Sequence, residues 1–119
     1  MLKFQVNFSD QSMSELKKLD IFQQMSLIDE LCSITPEQLE NPKGKIGRFY
    51  REGKTLYRLR IKGYRFYFER KGTQLYNHFI LHQHTLIDFI IRFKLPIKLS
   101  PKHHLTTTNN KLIGSSKLT

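Results

Sequence analysis

The sequence predicts an α+β domain on three observations. Apolar residues recur at helical spacing in the first third, β-branched and aromatic runs alternate between glycine breaks from Ile46 to His82, and an apolar stripe precedes Pro96. The expected layout is an N-terminal strand and helical hairpin, a four-stranded antiparallel sheet and a C-terminal helix. At 119 residues the chain has room for one core. We place that domain at 1–96 and a mobile basic tail at 97–119.

Lys3–Phe8 alternates as a short strand, with Phe4, Val6 and Phe8 on one side. Ser12-Met-Ser-Glu15 is a capping-box pattern and opens a helix through Leu19. After a break at Asp20, Ile21, Met25, Ile28 and Cys32 form a helical stripe, and Thr35-Pro36-Glu37-Gln38 caps one more turn. Breaks at Glu52-Gly53, Lys62-Gly63 and Lys71-Gly72 fall at hairpin spacing and delimit strands at about 46–51, 55–61, 64–70 and 74–82. Thr85-Leu-Ile-Asp88 caps a last helix carrying Leu86, Phe89, Ile90 and Phe93. Beyond Pro96, Thr, Ser, Asn and Lys dominate without apolar period, hence the mobile tail.

Several classes are excluded at this level. The apolar stretch at Phe79–Leu95 is cut by His82, His84, Asp88 and Arg92, so no membrane span is expected. No signal-peptide pattern opens the chain, which points to the cytoplasm. The single Cys32 forms no internal disulfide or thiolate cluster and reads as a small buried hydrophobe.

The net charge of +10 is unevenly distributed. Residues 1–42 hold three basic against seven acidic side chains, whereas 43–71 hold eleven basic against Glu52 and Glu69, a local net of +9. The same segment carries seven of the fourteen aromatics. A localised basic and aromatic stretch suits a polyanion, nucleic acid first.

A two-residue Lys62-Gly63 loop pairs Ile61 with Tyr64, Arg60 with Arg65, Leu59 with Phe66, Arg58 with Tyr67 and Tyr57 with Phe68. A similar loop at Lys71-Gly72 pairs Arg65 with His78 and Tyr67 with Tyr76, placing Leu75 and Phe79 on the apolar face. A row of Arg60, Arg65 and His78 then crosses three strands. At the first hairpin, a three-residue loop Glu52–Lys54 keeps Phe49 inward and Arg48 outward. A solvated basic surface accounts for any one arginine, but directly opposed arginines are better explained by an anion between them. Arg48, Arg58, Arg60, Tyr67, Tyr76 and His78 are therefore the candidate RNA-binding residues, the tyrosines offering rings for base stacking or serving as edge-of-core side chains. His82 and His84 follow the last strand, where imidazoles could move protons beside arginines holding a phosphate, or cap the next helix. His82, His84 and Asp88 make a poor ligand set, and His103-His104 a poorer one, so neither metal nor cofactor is expected.

This layout, with LYRLRIKGYRFYFE at 56–69, resembles the RelE/ParE toxin superfamily of toxin–antitoxin systems over roughly 2–95. The resemblance implies that Arg65, in Gly63-Tyr64-Arg65, is the phosphate-stabilising arginine of RelE-type ribonucleases, with Arg58 and Arg60 as the basic pair of the preceding strand. Those enzymes carry another arginine after the last sheet strand, where this chain reads Leu81-His82-Gln83-His84. His82 or His84 would substitute, giving Arg65, His82 and His84 as the catalytic set. Many members also carry a late catalytic tyrosine; here Phe89 and Ile90 stand nearest and no tyrosine follows Tyr76. The activity implied is metal-independent mRNA cleavage in the ribosomal A site, with mRNA, the ribosome and a cognate antitoxin as partners. A non-catalytic RNA or ribosome binder on the same scaffold is one alternative, and a gyrase-poisoning ParE-type toxin is another.

Overall fold

The structure, a computed structural model, describes residues 3–85, residue 90 and residues 103–105. The chain forms β1 (Gln5–Ser9), α1 (Asp10–Lys17), α2 (Ile21–Cys32), α3 (Pro36–Glu40), β2 (Ile46–Arg51), β3 (Lys54–Ile61), β4 (Tyr64–Lys71), β5 (Gln74–His82) and β6 (His103–Leu105). Of the C-terminal helix expected at Thr85–Leu95 only Thr85 and Ile90 are among the described residues, and Phe89 lies outside them. So does the expected tail, apart from β6.

The strands form one six-stranded mixed sheet in the order β2-β3-β4-β5-β1-β6, which corrects the expected four-stranded antiparallel sheet. β1 lies parallel to β5, with Val6 opposite Leu75 and Phe8 opposite Asn77, and β6 pairs antiparallel with β1. β1 thereby satisfies the backbone donors and acceptors that β5 would otherwise expose as an edge.

The helices cover one face of the sheet. Val6, Phe8, Leu59, Phe66, Phe68, Leu75 and Ile80 pack there with Met13, Leu16, Leu27, Ile28 and Leu31. Tyr57 stacks on Phe68 with ring centres 5.5 Å apart. At about 1.5–3 kcal/mol for each fully buried large apolar side chain, this face is the main source of stability.

Helix starts follow local capping. Asp20 and Thr35 each close a capping box, with Gln23 and Gln38 respectively. The first helix begins earlier than expected: Ser9 is its N-cap, accepting from the Ser12 amide at 3.1 Å. Ser12 is instead buried, its hydroxyl donating to the Asn77 backbone carbonyl at 3.1 Å and accepting from the Asn77 side-chain Nδ2 at 2.9 Å. Starting α1 directly off β1 is what brings this hydroxyl onto β5.

The middle hairpin pairs as expected, from Ile61 with Tyr64 to Tyr57 with Phe68. Lys62 and Gly63 both have positive φ, 50° and 82°, the conformation a two-residue hairpin turn of this hand requires. The other two hairpins depart from expectation. Glu52 and Gly53, at φ 53° and 79°, also make a two-residue turn, so Arg51 opposes Lys54. That moves Phe49 to the outer face, away from the helices, and Arg48 to the helix side. In the last hairpin Lys71 opposes Gln74, and a bulge at His78 shifts the register between Tyr67 and Phe68. Arg65 consequently faces Leu81 rather than His78, and Tyr67 faces Phe79 rather than Tyr76.

The outer face is accordingly not a plain basic surface. Tyr67 and Leu81 are buried there with Phe49 and Phe79 against them, and Phe49 meets Tyr67 edge-on at 6.0 Å.

Candidate nucleic-acid interface

The β3–β4 turn decides the site. Because Lys62-Gly63 closes in two residues, Arg60 and Arg65 oppose each other directly, and Arg58 follows two residues along β3 on the same face. Side chains so opposed start from Cβ atoms roughly 5 Å apart. Arg60 is exposed and donates from Nη2 to the Gly44 carbonyl at 3.3 Å, while its backbone amide donates to Lys45 at 3.0 Å. Arg58 and Arg65 are half-buried.

Arg58 lies over the bare backbone of Gly47, its strand partner. A Cβ at Gly47 would sit 2.7 Å from the Arg58 Nη2. A glycine inside a strand marks such a close approach, so this contact had a signal in the sequence.

The histidines separate. His82 is on the helix side of β5, opposite Tyr64, with its ring edge-on to Tyr64 at 5.2 Å and Nδ1 3.1 Å from the Gln83 carbonyl. It does not share a face with Arg65. His84 is exposed in the following turn at φ 72°. The Gln83 amide donates to the Gly63 carbonyl at 2.9 Å, which holds this turn at the end of the sheet where Arg60 and Arg65 lie.

The remaining candidates are dispersed. Arg48 reaches the Leu39 and Glu40 carbonyls at the end of α3, at 3.5 and 3.4 Å, on the opposite side from Arg58. Tyr67 is only 2% exposed, so its ring offers no stacking platform. Tyr76 is half-buried beside Glu69, with its hydroxyl 3.1 Å from Gln74 Oε1 and the Lys71 ammonium 5.3 Å from its ring centre. His78 is buried at the bulge, its Nε2 2.6 Å from Glu69 Oε1. That pair was not foreseen; its signal is the break in alternation at Asn77-His78, where two polar residues interrupt an apolar strand.

Cys32 ends α2, and burial first, then the charge of Asp29, pushes its thiol up to about 11. Such a thiol is a poor nucleophile at neutral pH. Among the described residues no three His, Cys, Asp or Glu side chains gather as metal ligands, and no helix is long and apolar enough to cross a membrane.

The arrangement can grip an anion with guanidinium groups from two strands and presents the exposed imidazoles of His82 and His84 at the same end of the sheet. No protein-family model matches the chain, and neither does any curated protein or solved structure.

Proposed function

We propose that the protein is a metal-independent endoribonuclease that binds single-stranded RNA through Arg58, Arg60 and Arg65. The direct opposition of Arg60 and Arg65 carries this reading. Like charges on directly opposed residues repel one another, and a phosphate held by both side chains turns that repulsion into charge-assisted hydrogen bonding. The resemblance of residues 56–69 to RelE-type toxins adds the substrate, mRNA in the ribosomal A site, the cytoplasm as the place of action and an antitoxin as partner.

Cleavage runs through the ribose 2′-hydroxyl. Its oxygen attacks the adjacent phosphorus, the bond to the 5′-oxygen breaks, and a 2′,3′-cyclic phosphate and a 5′-hydroxyl result. Arg65 stabilises the charge gathering on the phosphoryl oxygens, with Arg58 and Arg60 holding the strand. Neutral His84 takes the 2′-hydroxyl proton, and the imidazolium returns it to the departing 5′-oxygen. His82, turned towards Tyr64, is left out of this scheme.

A second reading, a non-catalytic RNA or ribosome binder, is favoured by one observation: of the two exposed histidines at the arginine end of the sheet, His82 is turned towards Tyr64 on the face opposite Arg65, which leaves His84 alone of the candidate histidines to move a proton. Inducing the protein in cells and mapping mRNA 5′ ends separates the two. New A-site cuts that disappear with Arg65→Ala and with His84→Ala are expected. Cuts unchanged in Arg65→Ala would overturn the assignment, and co-sedimentation with ribosomes without cuts would establish the binder. A supercoiling assay tests the gyrase alternative.

A further inference from the structure

A cleft lies between α3 and the loop leading into β2. Its volume is about 540 Å³, and Glu37, Gln38, Asn41, Lys43, Gly44 and Ile46 are among its lining residues. That is the size of a small-molecule site. Surface contacts brace its walls. The Thr35–Gln38 capping box and Arg48 hold α3, while Lys45 pairs with Glu30 at 2.7 Å and Arg60 bonds the Gly44 carbonyl to hold the loop.

We propose that this cleft binds a guanine base of the RNA whose phosphates the arginines hold, an inference that rests on the RNA reading above. The polar groups suit guanine. The Glu37 carboxylate can accept from guanine N1–H and N2–H together, an adjacent donor pair that adenine, cytosine and uracil lack on that edge. Gln38 commits its Oε1 to the Thr35 amide at 2.9 Å, leaving its NH₂ group to donate, and Asn41 and Lys43 add donors for guanine O6 and N7. Arg60 joins the two sites, since its guanidinium belongs to the arginine group and bonds a residue that lines the cleft.

The test titrates the folded full-length protein with guanosine, inosine and adenosine 5′-monophosphates while following the side-chain amide NMR signals of Gln38 and Asn41. Inosine lacks only the N2 amino group of guanine. Guanosine monophosphate should bind about tenfold more tightly than inosine monophosphate. Glu37→Gln should remove that difference, and Arg65→Ala should keep it. Equal binding of all three nucleotides, or shifts from none, would overturn the guanine site. Failure of the RNA reading shows separately, as oligonucleotide affinity that Arg65→Ala leaves unchanged.

Discussion

Glu69 and His78 meet at 2.6 Å beneath the outer face, with side chains 10% and 6% exposed. Two ionisable groups withdrawn from water are tolerable together and costly apart. Removing His78 leaves the Glu69 carboxylate buried without it, at about 3–5 kcal/mol. His78→Ala should therefore lower unfolding stability by about that amount in urea titrations, and the double variant with Glu69→Leu should recover part of it. A loss under about 1 kcal/mol would mean that the pair contributes nothing specific. Cys32 is a second residue with a measurable signature. Its thiol holds its proton more tightly in the folded chain, to about 11 against 9.0. Stability from this group is complete below pH 9 and is lost as pH rises through 11. At pH 8, native protein should react slowly with iodoacetamide and unfolded protein quickly; equal rates would contradict the burial.

At the scale of elements, the hairpins show what the sequence makes legible. The β3–β4 register could be read because turn chemistry and side-chain alternation agree: Lys62-Gly63 needs two left-handed residues, and any slip by one would bury arginines. The β4–β5 register could not, because the bulge at His78 offsets one strand against the other at the point where alternation fails. Phe49 was misplaced by one residue of turn length, and with it the outer apolar cluster of Phe49, Tyr67, Phe79 and Leu81 stayed hidden. The parallel pairing of β1 with β5 joins residues 69 apart in sequence, such as Val6 and Leu75, and leaves no local pattern. Of the candidate site, Arg58, Arg60 and Arg65 come together because they belong to the legible hairpin. Arg48, His78 and His82 scatter because they depend on the other two turns. The β2–β3 hairpin also carries a test. Gly47→Ala places a methyl group against the Arg58 guanidinium, which can swing aside at little cost to the fold. The variant should unfold at nearly the wild-type urea midpoint yet bind RNA about as weakly as Arg58→Ala. Unchanged RNA affinity would show that the position of Arg58 over Gly47 is immaterial.

Across the whole molecule the charge divides with the architecture. The strand and helices of residues 1–42 are net acidic, and the hairpins of 43–71 carry the local net of +9. Some of that charge is spent locally, as where Lys45 meets Glu30. The register sets the arginines at the β3–β4 end on one face. An RNA strand gripped there displaces counterions, so affinity should fall with salt at about 0.7 log units per log unit of salt for each phosphate contacted on a single strand. The most direct test is therefore the salt dependence of binding to a short single-stranded RNA, for wild type and Arg65→Ala. Wild type should give a slope near −2 for about three phosphates, and Arg65→Ala should flatten it by about 0.7 while the protein stays folded. The same slope in both proteins would contradict the placement of a phosphate between Arg60 and Arg65.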